Sequence, residues 1–81
     1  MPNFHYVYIL ISKCGEHHYV GSTRDLQKRL HKHNKGDVPH SARFRPWRIQ
    51  TAIAFRDVEK AGAFERYLKS HSGRSFAIKH F

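Results

Sequence analysis

The chain has 81 residues, which is near the lower limit for a domain that folds on one hydrophobic core without metal or disulfide staples. Its fifteen Lys and Arg against six Asp and Glu give a formal net charge of +9, so we expect a polyanionic partner, with nucleic acid first and a ribosomal or anionic lipid surface behind it. The six Phe, four Tyr and one Trp argue against disorder, and no apolar run approaches the roughly 18 residues that a membrane span requires.

Cysteine usage and the N-terminal sequence favour a cytoplasmic protein. Cys14 is the single cysteine, so an intrachain disulfide is excluded and nothing points to an oxidising compartment. No basic leader precedes the first apolar run, "YVYILI", which is also too short for the core of a signal peptide. We therefore expect a cytoplasmic location and no membrane partner.

The first part of the chain predicts a β-hairpin. Residues 4–12 mix aromatic and β-branched side chains, as strands do. The segment "KCGE" supplies a turn, and residues 16–21 predict a second strand, close enough in sequence to pair antiparallel with the first.

A helix is predicted next, over residues 23–34. Ser22 and Thr23 are candidate N-caps, and Asp25 lies in the first turn, where the helix dipole favours a negative charge. Gly36 is typical of the residue that ends such a helix. Residues 36–47 contain two prolines and no clear period, so we expect a loop there.

The second half of the chain predicts one strand and two helices. Residues 48–55 alternate apolar and polar side chains, which suits a third strand. Asp57 is a good N-cap for a helix over 57–71, and we expect a break at Ser72 and Gly73 before further helical turns over 74–81. The order β-β-α-β-α-α implies an α/β fold with a small, mainly antiparallel three-stranded sheet flanked by helices, in one domain over residues 1–81.

Several polar side chains are predicted to border the apolar core. Arg29 and His33 are four residues apart and lie beside the core-facing leucines of their helix. Glu65 lies beside the apolar stripe of the second long helix, where a carboxylate costs free energy unless a cation or hydrogen bonds compensate. The alternative is that Arg29 is simply solvated and that Glu65 only pairs with Lys69 one turn later.

Tyr6, Tyr8 and Tyr19 fall within reach of the same sheet, and the first two share one face. Tyrosine, arginine, histidine and one carboxylate around a common surface suggest phosphodiester chemistry. A carboxylate can hold Mg²⁺ with several waters, an arginine can offset transition-state charge, and a tyrosine can transfer a proton. The alternative interpretation is that Tyr8 and Tyr19 are ordinary amphipathic strand residues.

The ordered motifs of the chain resemble those of the GIY-YIG nuclease family. "YVY" at residues 6–8 is followed by "YVG" at 19–21, and then by Arg29 and His33 in "RLHKHN". The helix that carries Glu65 is similar to the catalytic-glutamate helix of the family, and "SHSGRSFAIKHF" is similar to the end of its short, stand-alone bacterial members. The resemblance runs over essentially the whole chain, and the ordered set is more specific than either tripeptide.

The resemblance implies a fold, an activity and a set of site residues. Tyr8, Tyr19 and Arg29 match residues that line the active site, His33 matches a position that carries His or Tyr, and Glu65 matches the metal-binding glutamate. Members of the family cut nucleic acid with a water nucleophile and one divalent metal, here expected to be Mg²⁺ or Mn²⁺, leaving a 5′-phosphate and a 3′-hydroxyl. We therefore expect a DNA endonuclease, with DNA favoured over RNA.

The chain departs from the family pattern in the first motif and after the glutamate. Tyr6 and Val7 replace the Gly and Ile of the first motif but leave its tyrosine in place. A further polar residue, frequently Asn, follows the glutamate in many members, and Ser75 and Lys79 are the candidates for it here.

The basic residues that we expect to contact the nucleic-acid backbone lie on the first helix and around the loop. These are Arg24, Lys28, Lys32, Arg43, Arg45 and Arg48. Trp47 would provide an aromatic platform for a base or close the core beneath the loop. A zinc site drawn from Cys14 and nearby histidines, His17, His18, His31 and His33, is a weaker hypothesis, because the spacings fit no usual structural site.

Two alternatives to a nuclease are left open by the sequence. The first is a basic nucleic-acid-binding module that retains the fold but performs little chemistry. The second is an interaction domain for a larger DNA repair or recombination partner, and a homodimer is also consistent with so small a chain.

Overall fold

The described residues, 4–81 of a computed structural model, form three strands and four helices. In chain order these are β1 (His5–Ser12), β2 (His18–Thr23), α1 (Leu26–Lys35), α2 (Pro39–Ala42), β3 (Trp47–Phe55), α3 (Val58–Lys69) and α4 (His71–His80). The predicted α/β order is confirmed, with the short helix α2 added inside the segment predicted as a loop. Within 4–81, every helix is too short or too polar to cross a membrane.

β1 is the central strand of the sheet. The strand order is β2-β1-β3, and both pairings are antiparallel. Tyr8 in the middle of β1 lies opposite Gly21 of β2 and Ala52 of β3. The β2 strand begins and ends two residues later than predicted, so that it includes Ser22 and Thr23. The hairpin therefore places both tyrosine motifs side by side.

The two faces of the sheet carry separate apolar cores, because side chains alternate along β1. On one face, Val7 and Ile9 pack with Ala61 and Leu68 of α3, and α4 adds Phe76 to the edge of this cluster. On the other face, the buried residues are Tyr8, Leu10 and Trp47, and the leucines of α1 pack against them. Helix α1 thus covers one face of the sheet, and α3 covers the other.

Helix α1 begins later than predicted. Asp25, not Ser22 or Thr23, is its N-cap, and the Asp25 carboxylate accepts a hydrogen bond of 3.0 Å from the backbone N–H of Lys28. Thr23 instead stabilises the turn before the helix, because its hydroxyl accepts a hydrogen bond of 3.2 Å from the Asp25 N–H. The predicted end at Gly36 is confirmed, since that residue adopts φ +88°, a left-handed conformation that glycine tolerates.

The segment predicted as a loop is anchored to the sheet by Trp47. Its indole N–H donates to the Ser41 carbonyl at 2.8 Å, and its backbone is held on both sides by the Asn34 side chain. Trp47 is 5% exposed, so the core interpretation is confirmed and the platform interpretation is wrong. The predicted loop contains one short helix that was not predicted, α2, and Pro39 occupies its first turn, where its missing N–H costs nothing.

The break between α3 and α4 falls at Ser70, not at Ser72 and Gly73. Ser70 ends α3 and its hydroxyl accepts from the Gly73 N–H at 3.1 Å, which caps α4. Gly73 lies inside α4 and is buried. A Cβ at this position would collide with the carbonyl group of Tyr67, so the glycine allows a close approach between the two helices and does not mark the break.

Candidate active site

The hydroxyl of Tyr8 lies at the centre of a buried hydrogen-bond network. Tyr8 is 2% exposed, and its oxygen lies 2.9 Å from His33 Nε2. Arg29 Nε donates to the same oxygen at 3.4 Å. Tyr8 comes from the central strand and the other two residues come from α1, so the packing of that helix on the sheet assembles this trio.

Ser41 determines which way the hydrogen bonds of this network run. The Ser41 hydroxyl donates to the Val38 carbonyl at 3.3 Å and lies 2.6 Å from His33 Nδ1. With its proton on that carbonyl, Ser41 accepts from an Nδ1–H of His33, the tautomer that also gives the Tyr8 proton an acceptor. His33 Nε2 is then an acceptor, and the Tyr8 hydroxyl donates to it.

The protonation states of this network follow from its burial. His33 is fully buried, and burial together with the Arg29 charge lowers its pKa, so the ring is neutral at pH 7. Burial also raises the pKa of Tyr8, and this effect outweighs the opposite effect of Arg29. The network therefore holds a neutral phenol and a neutral imidazole beside a permanent cation.

Tyr19 lies against the same histidine. Its ring contacts His33 edge to face, with centroids 4.7 Å apart, and it is only half-buried. The hydrogen bond that Arg29 donates to Tyr8 is the main reason why the pKa of Arg29 is raised, and the phenol of Tyr19 adds to the effect. Arg29 thus interacts with both motif tyrosines.

The glycine of the second motif makes room for the first tyrosine. Gly21 faces Tyr8 across the β1–β2 pairing, and a Cβ on Gly21 would overlap the Tyr8 hydroxyl and lie 2.7 Å from its Cζ. Any larger residue would move Tyr8 away from its partners. The second motif therefore contributes space as well as Tyr19.

Glu65 lies on α3, against the opposite face of the sheet. Its Oε1 accepts from the Ser22 hydroxyl at 2.7 Å, and its Oε2 pairs with Lys69 Nζ at 2.9 Å. Partial burial is the largest effect on the pKa of Glu65 and raises it, but the hydrogen bonds from Lys69 and Ser22 together lower the pKa overall. The carboxylate is therefore ionised and partly exposed, and the predicted pairing with Lys69 is confirmed.

The structure brings four of the predicted site residues into direct contact. The fifth, Glu65, lies on the other side of the edge strand β2. Tyr8, Tyr19, Arg29 and His33 form one cluster on the α1 face. Glu65 is fixed to β2 through Ser22, the neighbour of Gly21. The negative charge of Glu65 contributes to the raised pKa of Tyr8, so the two groups interact electrostatically although they lie on opposite faces of the sheet.

The donors around Glu65 fit a hard divalent cation. An ionised carboxylate and a hydroxyl oxygen are the ligands that Mg²⁺ and Mn²⁺ prefer, and Mg²⁺ commonly uses one or two carboxylates with waters and substrate phosphates. The ammonium group of Lys69 already places a positive charge against Oε2, at 2.9 Å. A metal at this oxygen would take the place of that ammonium group.

The six predicted backbone-binding residues are all exposed: Arg24, Lys28, Lys32, Arg43, Arg45 and Arg48. The Arg43 guanidinium lies 5.6 Å from the centroid of the Phe44 ring, a cation–π contact. The two candidates for the further polar residue, Ser75 and Lys79, are exposed on α4, and the Ser75 hydroxyl donates to the His71 carbonyl of its own helix.

Ser22 and Ser41 are the site residues that sequence reasoning missed. The sequence predicts Ser22 only as a helix cap, and Ser41 falls in the segment predicted as a loop. One signal pointed to Ser22, since it directly follows the second motif and a carboxylate beside an apolar stripe needs a donor. No sequence signal pointed to Ser41, because its partner His33 lies on a different helix.

Comparison with known proteins identifies the family. The GIY-YIG catalytic domain matches residues 4–79. The solution NMR structure of the UPF0213 protein BH0048 from Bacillus halodurans is similar, at 34% sequence identity and a TM-score of 0.56, over 94% of this chain and 83% of that one. No curated protein matches significantly. With the family model spanning nearly all of the residues that build the fold, the chain belongs to the GIY-YIG family.

Proposed function

We propose that this protein is a metal-dependent endonuclease that hydrolyses phosphodiester bonds in DNA. The observation that carries the proposal is the cluster of Tyr8, Arg29 and His33, which lies across one edge strand from the ionised Glu65. Tyr19 completes the cluster. In the GIY-YIG family these residue types at these motif positions cut nucleic acid, and the net charge of +9 suits a polyanionic substrate.

Arg29 supplies positive charge where the reaction builds negative charge. Its guanidinium is fixed by the Tyr8 hydroxyl and approached by Tyr19, so little reorganisation is needed when the phosphorus becomes five-coordinate. Arginine also matches the oxygens of a phosphate group in two-pronged geometry. Arg29 therefore stabilises the transition state.

Tyr8 and His33 form a path for a proton. The Tyr8 oxygen has two lone pairs, one of which accepts from Arg29, and its proton is donated to His33. The remaining lone pair can accept a proton from an attacking water while the phenol proton moves to the neutral His33 Nε2. Either Tyr8 or Tyr19 can orient the water, and the half-buried Tyr19 is the more accessible of the two.

Glu65 would hold Mg²⁺ or Mn²⁺ together with waters, and Ser22 would keep the carboxylate oriented. When bound, such an ion neutralises phosphate charge and favours departure of the 3′ oxygen. The expected products carry a 5′-phosphate and a 3′-hydroxyl. Lys69, released from Glu65, remains near the substrate as a mobile cation.

The test is cleavage of end-labelled linear, flapped, branched and single-stranded DNA at low salt, with Mg²⁺, Mn²⁺ or EDTA. Glu65→Gln should abolish metal-dependent cutting and keep its circular dichroism spectrum, because the isosteric amide keeps the hydrogen-bonding shape but loses the charge. Glu59→Gln removes an exposed glutamate of the same helix and should cut as wild type. Unchanged cutting by Glu65→Gln would refute the proposal.

Two observations favour the second candidate, a basic nucleic-acid-binding module without chemistry. Tyr8 is 2% exposed and Lys69 occupies one oxygen of Glu65, so both catalytic groups are engaged with the protein itself. Such a module would bind the same DNAs, and bind them equally with Glu65→Gln, but it would cut none of them with any metal. It would act in the cytoplasm as a homodimer or as a subunit of a larger repair complex.

A further inference from the structure

The turn between β1 and β2 brings three metal-ligating side chains together, away from the tyrosine cluster. The sulfur of Cys14, a carboxylate oxygen of Glu16 and an imidazole nitrogen of His17 all lie within 4.8 Å of one another. Cys14 and Glu16 are exposed and His17 is half-buried. Three different ligand types therefore converge at a position that solvent ions can reach.

The backbone of this turn is fixed before any ion binds. The Ser12 N–H donates to the His17 carbonyl and the Gly15 N–H donates to the Ser12 carbonyl, each at 2.9 Å. Gly15 adopts φ +80°, which allows the tight turn, and the Lys13 N–H donates to the Pro46 carbonyl at 3.1 Å. Little ordering of the backbone is then needed on binding.

Two of the three ligands also have partners that orient them. The Ser12 hydroxyl lies 3.2 Å from the Cys14 sulfur while its oxygen accepts from the His17 N–H at 3.1 Å, so its own proton is free to point at the sulfur. The His17 ring stacks on Phe44, with centroids 3.7 Å apart and planes at 18°. Outer partners of this kind hold metal ligands in place.

We propose that this turn binds one divalent transition-metal ion per chain, with Zn²⁺ as the natural choice, through Cys14, Glu16 and His17. The fourth position is left to water. Tetrahedral zinc requires ligand atoms roughly 3.5 Å apart, so the three side chains must close by only about 1 Å. A thiolate and an imidazole select zinc over magnesium, which separates this site from the oxygen donors around Glu65.

This site differs from the zinc hypothesis that the histidines suggest in the sequence. His33 is fully buried between Tyr8 and Ser41, so both of its nitrogens are engaged. Glu16, which was not among the ligands suggested by the sequence, is a ligand of the proposed site instead. The resulting site is open and needs none of the residues of the α1 face.

Cobalt is the probe that tests the proposal, because cobalt bound to a thiolate shows a sulfur-to-metal charge-transfer band in the near ultraviolet. Cys14 is the single cysteine of the sequence, so this band reports on one site only. Titration of the full chain under a phosphine reductant should saturate at one cobalt per chain, and Zn²⁺ should displace it. Cys14→Ser should remove the band, and His17→Gln or Glu16→Gln should each weaken binding at least about tenfold.

Two matched variants separate this site from its neighbours. His18→Gln changes the adjacent histidine, which is outside the cluster, and should bind cobalt as wild type does. Glu65→Gln should also keep the band, so failure of the proposed nuclease would leave this result unaffected. No band at stoichiometric cobalt, a band indifferent to both His17→Gln and Glu16→Gln, or saturation at one cobalt per two chains would each overturn the proposal.

Discussion

At the scale of single residues, His33 shows how burial fixes a protonation state. Its ring is fully buried, accepts from Tyr8 and donates to Ser41, so both ring nitrogens are satisfied without a second proton. The cation Arg29 on the same helix adds to the cost of charging it. The path for a proton in the proposed reaction therefore depends on His33 remaining neutral in the resting protein.

His33 also predicts how stability depends on pH. Its pKa is lower in the folded protein than in the unfolded chain, so the unfolded chain binds more protons in acid. The free energy of unfolding should be insensitive to this residue above about pH 6.5, and should fall by up to about 1.4 kcal/mol per pH unit below it, until the folded pKa is passed. Urea unfolding between pH 7.5 and roughly 5 measures this slope.

His33→Gln should be less stable than wild type at pH 7 but should have a flatter pH profile. His31→Gln, which removes an exposed histidine of the same helix, should keep the wild-type slope. An equal slope in wild type and His33→Gln would contradict the prediction.

At the scale of elements, two glycines in neighbouring helices have opposite roles. In α4, Gly73 is buried, and a Cβ there would strike the backbone of Tyr67. In α3, a Cβ at Gly62 would meet only the end of the flexible Arg66 side chain, at 3.4 Å. The same substitution should therefore have opposite effects at the two sites.

Gly73→Ala should destabilise the protein by roughly 1–3 kcal/mol, because the backbone contact forces α4 away from α3. Gly62→Ala should instead stabilise it by about 0.5–1 kcal/mol through helix propensity. Midpoints of urea unfolding with unchanged slopes would measure both effects. A neutral or stabilising Gly73→Ala would show that α4 does not need this close approach.

At the scale of the whole molecule, charge and topology act together. The net charge of +9 favours approach to a polyanion, while the three-stranded sheet separates α1 and its cationic side chains from α3. Attraction to a polyanion depends on total charge at long range, but contact with phosphates depends on which face meets the DNA. Two lysines on opposite faces of the sheet distinguish these effects.

Lys28→Gln on α1 and Lys60→Gln on α3 remove the same charge from opposite sides of the molecule. If α1 contacts the backbone, Lys28→Gln should lower the slope of log affinity against log salt by about 0.9, and Lys60→Gln should leave it nearly unchanged. Fluorescence anisotropy with labelled duplex DNA across a range of salt concentrations measures both slopes. Equal slopes in the two variants would place the contact surface elsewhere.

Features that depend on neighbours along the chain were predicted from the sequence. Strand and helix order, the Asp57 cap and the Gly36 end follow from periodicity and from backbone geometry within a few residues. The family motifs likewise identified Tyr8, Arg29 and Glu65 as a set. These signals are local or are fixed in order along the chain, so one sequence contains them.

Features that depend on distant contacts were decided only by the tertiary structure. The Ser22–Glu65 and Tyr8–His33 hydrogen bonds join residues 43 and 25 positions apart, and neither the face that each helix covers nor the role of Ser41 can be read from spacing. Glycine is typical of a helix break, but Gly73 lies inside α4, where the close approach of α4 to α3 leaves no room for a side chain. The sequence by itself determined the order of the main strands and helices and the residues proposed to carry the chemistry, whereas packing determined their partners, because side-chain contacts depend on how distant segments meet.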